Sequence, residues 1–440
     1  MKQGDNPFHE PLVACHECDA IYVRHAIEAG AKAVCLRCAN ELYRHIPHSL
    51  DKSLALYIAT FVLFVIANFY PFLSLQTTGL FEQSQVYSAG LALYKFGMAE
   101  LGLVVFLTSI LFPLIAILGM LYLLVPLRFD YLPMFHGEVY RLVKLAQPWS
   151  LLSVFLLGSL IAVVKLQSLA TVNPGIGLYA FVAMLFAYAA AQANFDPEVI
   201  WHKSQVKQLT VNQLAQGEKM LQCHCCGLIR PFSEDHKQCE RCHGSIHFRK
   251  HESVQRTWAL LLSAAVMLIP ANLLPVMTVK TLGRGSPDTI MSGVIHLLEG
   301  GMWSLALIVL FASIVVPLLK LIALSFLLYS VSSESDWRPK DRTVLYRITE
   351  LVGAWSMVDV FLVGLLCGLV SLGLIASIEP GLGASFFATA VIFTILAARS
   401  FDPRLIWDGA LKPPPVTDMI TDVNTPSTNN NENNDIRVIQ

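Results

Sequence analysis

Residues 101–127, LGLVVFLTSILFPLIAILGMLYLLVPL, decide the fold because they contain no charged side chain. As a helix this segment rises about 40 Å, more than the ~30 Å hydrocarbon layer of a bilayer. A second segment, 302–331 with the sequence MWSLALIVLFASIVVPLLKLIALSFLLYSV, has the same character and carries a single charge, Lys320. Both segments predict membrane-spanning helices.

Apolar runs of spanning length occur eight times in the chain. Of all residues, 55% are hydrophobic and 14% are charged, against ~25% charged in an ordinary soluble domain. This composition excludes a soluble enzyme and a disordered chain, and a net charge of -1 gives no field that would attract nucleic acid. We predict an all-α polytopic membrane protein, whose six further spans lie at about 53–75, 148–171, 175–195, 257–279, 352–377 and 381–399.

The two halves of the chain are repeats, so the eight spans form two tandem four-helix transmembrane units. An even number of spans per repeat makes the repeats parallel. Pro174-Gly175 and Pro380-Gly381 predict tight turns that join the last two spans of each unit as helical hairpins. Trp201 and Trp407 are expected to be interfacial anchors. The matching positions are Asn68–Pro71 with Asn272–Pro275, Trp149-Ser150 with Trp355-Ser356, and 195–201 with 401–407.

The basic residues predict the orientation of the chain. If both termini lie on one side, that side holds all but five of the 31 Lys and Arg residues. The positive-inside rule then places both termini in the cytoplasm. The expected domains are a cysteine module at 1–50, a four-helix unit at 51–202, a second module at 203–252, a second unit at 253–408, and a disordered Pro- and Asn-rich tail at 409–440.

Two cysteine modules precede the two units. Cys15 and Cys18 are followed after 16 residues by Cys35 and Cys38, and Cys223 and Cys226 after 12 residues by Cys239 and Cys242. Two Cys-x-x-Cys pairs supply four thiolates to one tetrahedral ion, which favours structural Zn²⁺. Iron is the alternative metal. Disulfides are disfavoured by the cytoplasmic placement.

Other Cys and His residues lie beside these predicted ligands. Cys225 is an alternative ligand, although Cys223 has the correct spacing, and Cys367 is expected to be a small core residue. The neighbouring His16, His224 and His243 are expected at the surface rather than on the metal.

Charged side chains inside the spans are candidates for function because each costs ~3 kcal/mol at mid-bilayer. Lys320 aligns with Ala116 of the first unit, and Asp359 aligns with Ser153, so the unit that lacks the cation also lacks the anion. This covariation predicts a Lys320–Asp359 ion pair. It serves either helix packing or a proton relay. Further polar candidates in the spans are Ser313, Ser356, Thr394 and Lys165, the last of which lies late in its span and can reach the surface.

Five segments of the second unit resemble the paraquat-inducible protein A family. The resemblance covers about residues 12–408. The segments are Ile-Pro-Ala-Asn-Leu-Leu-Pro (269–275), Asp-Thr-Ile-Met-Ser-Gly-Val (288–294), Ala-Ser-Ile-Val-Val-Pro-Leu-Leu-Lys (312–320), Trp-Ser-Met-Val-Asp-Val-Phe (355–361) and Phe-Asp-Pro-Arg-Leu-Ile-Trp-Asp (401–408).

The resemblance implies a protein of the bacterial inner membrane that moves lipids between membranes. The implied partner is a periplasmic mammalian-cell-entry (MCE) domain tunnel protein, and the implied units are tetraspan-like with zinc-ribbon modules. It also implies a transport network formed by Lys165, Ser313, Lys320, Ser356, Asp359 and Thr394, in which Ser168 replaces an acidic partner of Lys165.

Two alternatives of other classes remain. One is a membrane redox or stress protein that uses its four-cysteine metal sites, and the other is a passive anchor for the tunnel protein. The sequence contains no P-loop, no HExxH and no Ser-His-Asp arrangement. We therefore expect no enzyme, no nucleotide and no nucleic acid, and we expect any coupling energy to come from a proton gradient.

Overall fold

The computed structural model describes residues 11–77, 80–166, 171–204, 206, 208–209, 220–231, 238–281, 284–335, 337–369, 376–409 and 437–439. It confirms the predicted fold class, because eight helical stretches are long and apolar enough to cross a membrane. These stretches are Ser49–Phe69, Ala99–Arg128, His136–Val164, Ile176–Ala193, Ser253–Leu273, Trp303–Ser332, Pro339–Leu369 and Leu382–Ser400.

The first cysteine module (module 1, residues 11–45) consists of two small antiparallel hairpins. Each Cys-x-x-Cys pair lies in the turn of one hairpin. The strands are β1 (Leu12–Ala14), β2 (Ile21–Val23), β3 (Lys32–Val34) and β4 (Glu41–Arg44), with β1 paired to β2 and β3 paired to β4.

The first membrane unit (unit 1, Ser49–Trp201) contains four spans and a three-stranded sheet at the end away from the modules. In this sheet β5 pairs with both β6 and β7. The elements are α1 (Ser49–Phe69), β5 (Leu73–Thr77), β6 (Leu80–Ser84), α2 (Ser88–Lys95), α3 (Ala99–Phe106), α4 (Phe112–Arg128), α5 (His136–Ala146), α6 (Leu152–Leu166), β7 (Thr171–Pro174), α7 (Ile176–Ala193) and α8 (Glu198–Trp201).

The second module and the second unit repeat this plan. Module 2 (residues 220–250) has the hairpin β8 (Met220–Gln222) and β9 (Ile229–Pro231). In unit 2 (Ser253–Asp408), β10 pairs with β11 and β12. Its elements are α9 (Ser253–Leu273), β10 (Met277–Thr281), β11 (Arg284–Asp288), α10 (Ile290–Glu299), α11 (Trp303–Leu310), α12 (Val316–Ser332), α13 (Pro339–Gly353), α14 (Val358–Leu369), β12 (Ala376–Pro380), α15 (Leu382–Ser400) and α16 (Leu405–Asp408).

The end of the chain returns to module 1. Strand β13 (Arg437–Ile439) pairs antiparallel with β3. The tail was expected to be disordered. Apart from β13, this expectation falls on residues 410–436, which lie outside the described residues.

The second span of each unit contains a π-helical turn, at Leu107–Leu111 and at Phe311–Val315. A proline follows each turn at position 113 or 317. Proline has no N–H to donate to the carbonyl four residues earlier, and its ring crowds that carbonyl. The backbone therefore widens locally, in a form that often marks functional sites.

The helical hairpins predicted at the Pro-Gly motifs are wrong. Helix α7 packs along α1 instead of α6, and α15 packs along α9 instead of α14. The glycine of each motif bonds to the end of the first span, since Gly175 N–H donates to the Phe72 carbonyl oxygen at 3.1 Å and Gly381 N–H to that of Val276 at 2.8 Å. Only glycine permits this approach, because an ideal Cβ on Gly175 would lie 2.0 Å from the Pro71 carbonyl oxygen and one on Gly381 would lie 2.2 Å from that of Pro275. The motif thus joins the last span to the end of the first span, and β7 and β12 complete this junction.

The third span of each unit begins earlier than its apolar run indicates. The run predicted from 148 is preceded by the amphipathic helix α5, and the run predicted from 352 is preceded by α13. Short 3₁₀ turns, Gln147–Trp149 and Ala354–Met357, join these helices to α6 and α14. Each third span therefore connects the module end of the molecule to the membrane interior.

The two units meet through their third spans. The rings of Phe155 on α6 and Phe361 on α14 pack edge to face with centroids 5.4 Å apart. Gly158 permits the close approach, because an ideal Cβ there would lie 3.2 Å from the Val358 carbonyl oxygen. Helix α2 of unit 1 also packs against α14, which is why α14 is buried almost all round.

Candidate functional site

The eight predicted metal ligands form two compact groups of four. Within each group all Sγ atoms lie within 4.8 Å of one another. A tetrahedral ion with Zn–S bonds of ~2.3 Å needs Sγ–Sγ distances of about 3.8 Å, so the groups fit such an ion. The shortest Sγ–Sγ distances are 3.4 Å for Cys15–Cys38 and 3.5 Å for Cys18–Cys35, Cys223–Cys242 and Cys226–Cys239.

The four Cys-x-x-Cys turns share one backbone geometry. The residue after the second cysteine has a positive φ of 53–72°, a left-handed conformation that is uncommon for residues other than glycine. Its backbone N–H donates to the carbonyl of the first cysteine over 2.8–3.0 Å. The residues are Asp19, Ala39, Gly227 and His243, of which only Gly227 indicates the turn in the sequence.

The remaining cysteines and histidines lie outside the two groups of four. Cys225 is partly exposed, and Cys367 is buried in α14 as a core residue. His16 and His224 stack between the modules with ring centroids 6.5 Å apart. His16, His224 and His243 are all exposed, as predicted, and none belongs to either group of four.

Lys320 is the central residue of a polar site inside unit 2. Its side chain is 3% exposed. The ammonium donates to Thr394 Oγ1 at 2.7 Å and to the Gly353 carbonyl oxygen at 3.4 Å. Gly353 lies directly against this side chain, since an ideal Cβ there would be in van der Waals contact with Lys320 Nζ at 3.6 Å.

The predicted direct ion pair between Lys320 and Asp359 is wrong. The ion pairs of the described residues include none between these two side chains. Asp359 lies six residues beyond Gly353 along the third span, which corresponds to roughly 10 Å of helix rise. Lys320 contacts that span at the level of Gly353, so the carboxylate lies nearer the end away from the modules.

The other predicted polar residues lie near these two charges. Ser356 is buried between the levels of Gly353 and Asp359, and its hydroxyl has no hydrogen-bond partner among the described residues. Ser313 lies in the π-helical turn and donates to the Val309 carbonyl oxygen at 2.7 Å. Unit 2 thus brings five of the six predicted residues into one region. The side chain of Lys165 and the whole of Ser168 lie outside the described residues.

A small cavity of about 50 Å³ reaches Asp359 from the end of unit 2 away from the modules. Its wall is almost entirely apolar, apart from Asp359, Asp288 and Thr289. No sequence pattern indicates this cavity, because its wall comes from β10, β11, α10, α11, α14 and also α6 of unit 1. The lining residues are Ile161, Val276, Met277, Asp288, Thr289, Ile290, Gly293, Leu297, Val309, Asp359, Leu362 and Val363.

The expectation that Trp201 and Trp407 are interfacial anchors is wrong. They are 4% and 7% exposed. The guanidinium of Arg37 lies 4.6 Å from the ring centroid of Trp407, and that of Arg241 lies 5.7 Å from that of Trp201. Both arginines belong to the cysteine modules, so the two tryptophans are contacts between modules and membrane units. Only the tertiary structure reveals this role.

Comparison with known proteins agrees with the repeat. The family model described as paraquat-inducible protein A matches residues 50–205 and again 254–410. The chain is 30% identical over 407 residues to "Intermembrane transport protein PqiA" of Escherichia coli K12, which covers 90% of this chain and 95% of that protein.

Two further relatives have similar coverage. "Lipophilic envelope-spanning tunnel protein A" of Escherichia coli K12 is 30% identical and covers 90% of both chains. "Probable intermembrane transport protein" of Haemophilus influenzae is 28% identical and covers 90% of this chain and 95% of that protein. No solved structure is a significant match to this chain.

Proposed function

Because the chain belongs to the paraquat-inducible protein A family, we propose that it is the inner-membrane subunit of an intermembrane lipid transport system. In this proposal it passes lipids to or from a periplasmic tunnel protein with MCE domains. The names of its relatives, which describe intermembrane transport and an envelope-spanning tunnel, support the proposal. Within the molecule, the observation that carries it is the apolar cavity that has Asp359 in its wall.

The cavity has the chemistry of a lipid site. Apolar side chains suit an acyl chain, and Thr289 in the wall carries a hydroxyl that suits a headgroup. At about 50 Å³ the cavity holds the end of an acyl chain and not a whole phospholipid. Unit 2 must therefore widen between α10 and α14 during transfer.

The buried polar residues form a route for coupling. Along the third span, Asp359 beside the cavity is followed toward the module end by Ser356 and then by Gly353, whose carbonyl accepts from Lys320. Thr394 holds the ammonium. Intramembrane ionisable residues commonly mark proton relays. We propose that protonation of Asp359 and Lys320 couples lipid transfer to the proton gradient, with Lys165 as a further member of the network.

The proposed orientation places the modules and both termini in the cytoplasm and the outer sheets in the periplasm. The distribution of Lys and Arg supports it. In each module the four thiolates would hold a structural zinc ion, because a module of this size needs a metal for stability. We expect about two zinc ions per chain by elemental analysis. A coloured protein containing iron, or thiols that cycle with oxidant, would instead favour the redox alternative.

The functional test is the substitution Asp359→Asn. The chain is reconstituted with the MCE-domain protein that copurifies with it, and transfer of a fluorescent phospholipid is followed with and without a pH gradient. We expect at least about a 100-fold loss of rate, the scale on which removal of a proton-transferring group acts. The folded state should persist, because Asn has nearly the same volume.

Unit 1 supplies the matched control. Ser153→Ala changes the equivalent position and should leave the rate within about twofold. Transfer by Asp359→Asn at the wild-type rate would refute the relay. If transfer also survived Lys320→Met, the chain would act only as a passive anchor for the tunnel protein.

A further inference from the structure

The ligand turns of the two cysteine modules dock on the membrane units in a crossed arrangement. Module 1 precedes unit 1 in the chain, yet its main polar contacts are with unit 2. Arg347 of α13 donates to the Glu17 carboxylate, at 2.8 Å from Nε, and to the Cys38 carbonyl oxygen at 3.0 Å. Arg404 pairs with Asp19 at 3.5 Å. Glu17, Asp19 and Cys38 all lie in the metal-binding turns of module 1.

Module 2 makes the equivalent contacts with unit 1. Arg141 of α5 donates to the His243 carbonyl oxygen at 2.9 Å. An ideal Cβ on Gly137 would lie 2.9 Å from Cys242 Cα, so the same helix packs directly on a ligand turn. Arg141 and Arg347 are equivalent in the repeat, 206 positions apart. Each unit therefore holds one module through the amphipathic helix that begins its third span.

Module 1 also contacts unit 1, through a more exposed ion pair. Arg24 pairs with Glu198, whose side chain is 50% exposed. Exposed pairs of this kind contribute little, ~0–1 kcal/mol. The Glu17 side chain that Arg347 contacts is only 14% exposed. The crossed contact is therefore the stronger of the two.

Helix α13 links module 1 to the polar site of unit 2. Arg347 contacts the module, and Gly353, six residues later, accepts from Lys320. These two points lie about 9 Å apart on one helix. A helix this short moves as a rigid body, so a shift at Arg347 reaches Gly353. In unit 1, α5 has the same contact with module 2, but Ala116 takes the place of Lys320.

We infer that Arg347 is a positioning residue that transmits the state of module 1 to Lys320. While the four thiolates of module 1 hold a metal, the Cys38 carbonyl and Glu17 keep α13 against Lys320. When the metal is lost, the ligand turns lose their geometry, α13 is released, and the ammonium becomes accessible from the module end. Module 2 also contacts unit 2, through Arg249 with Asp408 and Lys250 with Asp402, but these contacts lie after the last span and not on α13, so we expect module 2 to have a smaller effect on Lys320. The inference rests on the proposed function only for the role of Lys320 in transport.

The test compares Arg347→Ala with Arg141→Ala in the full-length chain in lipid nanodiscs. Hydrogen exchange reports on 339–353 and 136–146, and reductive methylation with formaldehyde and a borane, read by peptide mass spectrometry, reports on the Lys320 amine. We expect Arg347→Ala to raise exchange in 339–353 and Lys320 methylation by at least about fivefold, since it removes charge-assisted hydrogen bonds. Arg141→Ala should raise exchange in 136–146 alone.

The metal arm uses Cys18→Ser and Cys226→Ser, with zinc measured in the same samples. Cys18→Ser should reproduce the effect of Arg347→Ala, and Cys226→Ser should reproduce that of Arg141→Ala. Glu17→Gln is the milder module 1 variant if Cys18→Ser fails to fold, and Arg141→Ala represents module 2 if Cys226→Ser does. The inference is overturned if Lys320 methylation stays at the wild-type level in Arg347→Ala and Glu17→Gln, or if the module 2 variants raise it as much.

These readouts separate the inference from the proposed function. If Arg347→Ala exposes Lys320 while lipid transfer keeps its wild-type rate, the positioning role stands and the role of Lys320 in transport fails. If Lys320→Met abolishes transfer and Arg347→Ala leaves Lys320 protected, the proposed function stands and the positioning role fails.

Discussion

The two membrane units have the same architecture and different interiors. Both have a π-helical turn followed by proline, a three-stranded sheet and a third span that begins with an amphipathic helix. Unit 2 buries Lys320 and Asp359, whereas unit 1 has Ala116 and Ser153 at these positions. Because unit 1 reaches the same fold without them, the fold does not require the two charges. The two charges are present in unit 2 although each is costly in the membrane interior, which points to function.

A second difference lies where the last span ends, on the module side. Asp402 is fully buried and accepts from Arg404 Nε at 2.9 Å and Nη2 at 2.8 Å. Unit 1 has Asp196 and Glu198 at the equivalent positions. Burial alone would raise the pKa of Asp402, but the hydrogen bonds and charge of Arg404 lower it to about 2. Burial raises the pKa of Asp196, with Arg24 only partly opposing it.

The largest expected effect on stability distinguishes these two aspartates. Asp402→Asn should lower the free energy of unfolding in detergent by about 3–5 kcal/mol at pH 7, because it removes the bidentate carboxylate of the buried Arg404 guanidinium and leaves only the 3.5 Å contact with Asp19. Asp196→Asn should change it by less than about 1 kcal/mol or raise it, because the charged form is already disfavoured there. Equal losses in denaturant titrations of the two variants would remove this distinction between the units.

The same pair predicts opposite pH dependences. The folded pKa of Asp402, about 2, lies below its unfolded value of ~3.9. Its contribution to stability is therefore present above pH ~4 and is lost as the pH falls toward 2. The folded pKa of Asp196 is raised, so its burial cost is relieved on acidification. Subtracting the pH profile of each Asn variant from that of the wild type measures both contributions.

The next prediction concerns a variant that places the cation in unit 1, which lacks it. Ala116 is fully buried, and Tyr188 occupies the position that Thr394 has in unit 2. Ala116→Lys should destabilise the chain by about 3 kcal/mol, the cost of a charge at mid-membrane without prepared partners. Adding Tyr188→Thr should recover part of the loss by supplying a hydroxyl acceptor. A stable Ala116→Lys variant would mean that both interiors tolerate the cation equally.

The smallest effect tests how unit 2 holds its cation. Thr394→Val removes the hydroxyl that accepts from Lys320 at 2.7 Å and should cost about 1.5–3 kcal/mol, as for a hydrogen bond to a charged group. Thr394→Ser keeps the hydroxyl and should cost less than half as much. Thermal unfolding of the two variants measures the difference. Similar melting temperatures would mean that the Gly353 carbonyl alone supports the ammonium.

Much of the fold could be predicted from the sequence because its signals are local. Apolar length determined the eight spans, and Cys-x-x-Cys spacing determined which thiols can share an ion. The repeat singled out Lys320 and Asp359 by comparison within one chain. The errors concern contacts between distant segments. The sequence at Pro174-Gly175 indicated a hairpin turn between the last two spans of unit 1. The helix that packs on the last span is instead selected by the contact of Gly175 with the backbone of Pro71, which is distant in sequence.

The sequence alone determined that the chain crosses a membrane, that it is a tandem repeat, and that two four-thiolate groups precede the repeats. These features follow from hydrophobicity and from spacing along the chain, which act over a few turns. Only the tertiary structure decided that Lys320 contacts Thr394 and Gly353 rather than Asp359. It also decided that Asp359 lines a cavity, and that the ligand turns of each module contact the membrane unit of the other repeat. Such contacts depend on the packing of helices that are far apart in sequence, where shape and the three-dimensional position of each charge select the partners.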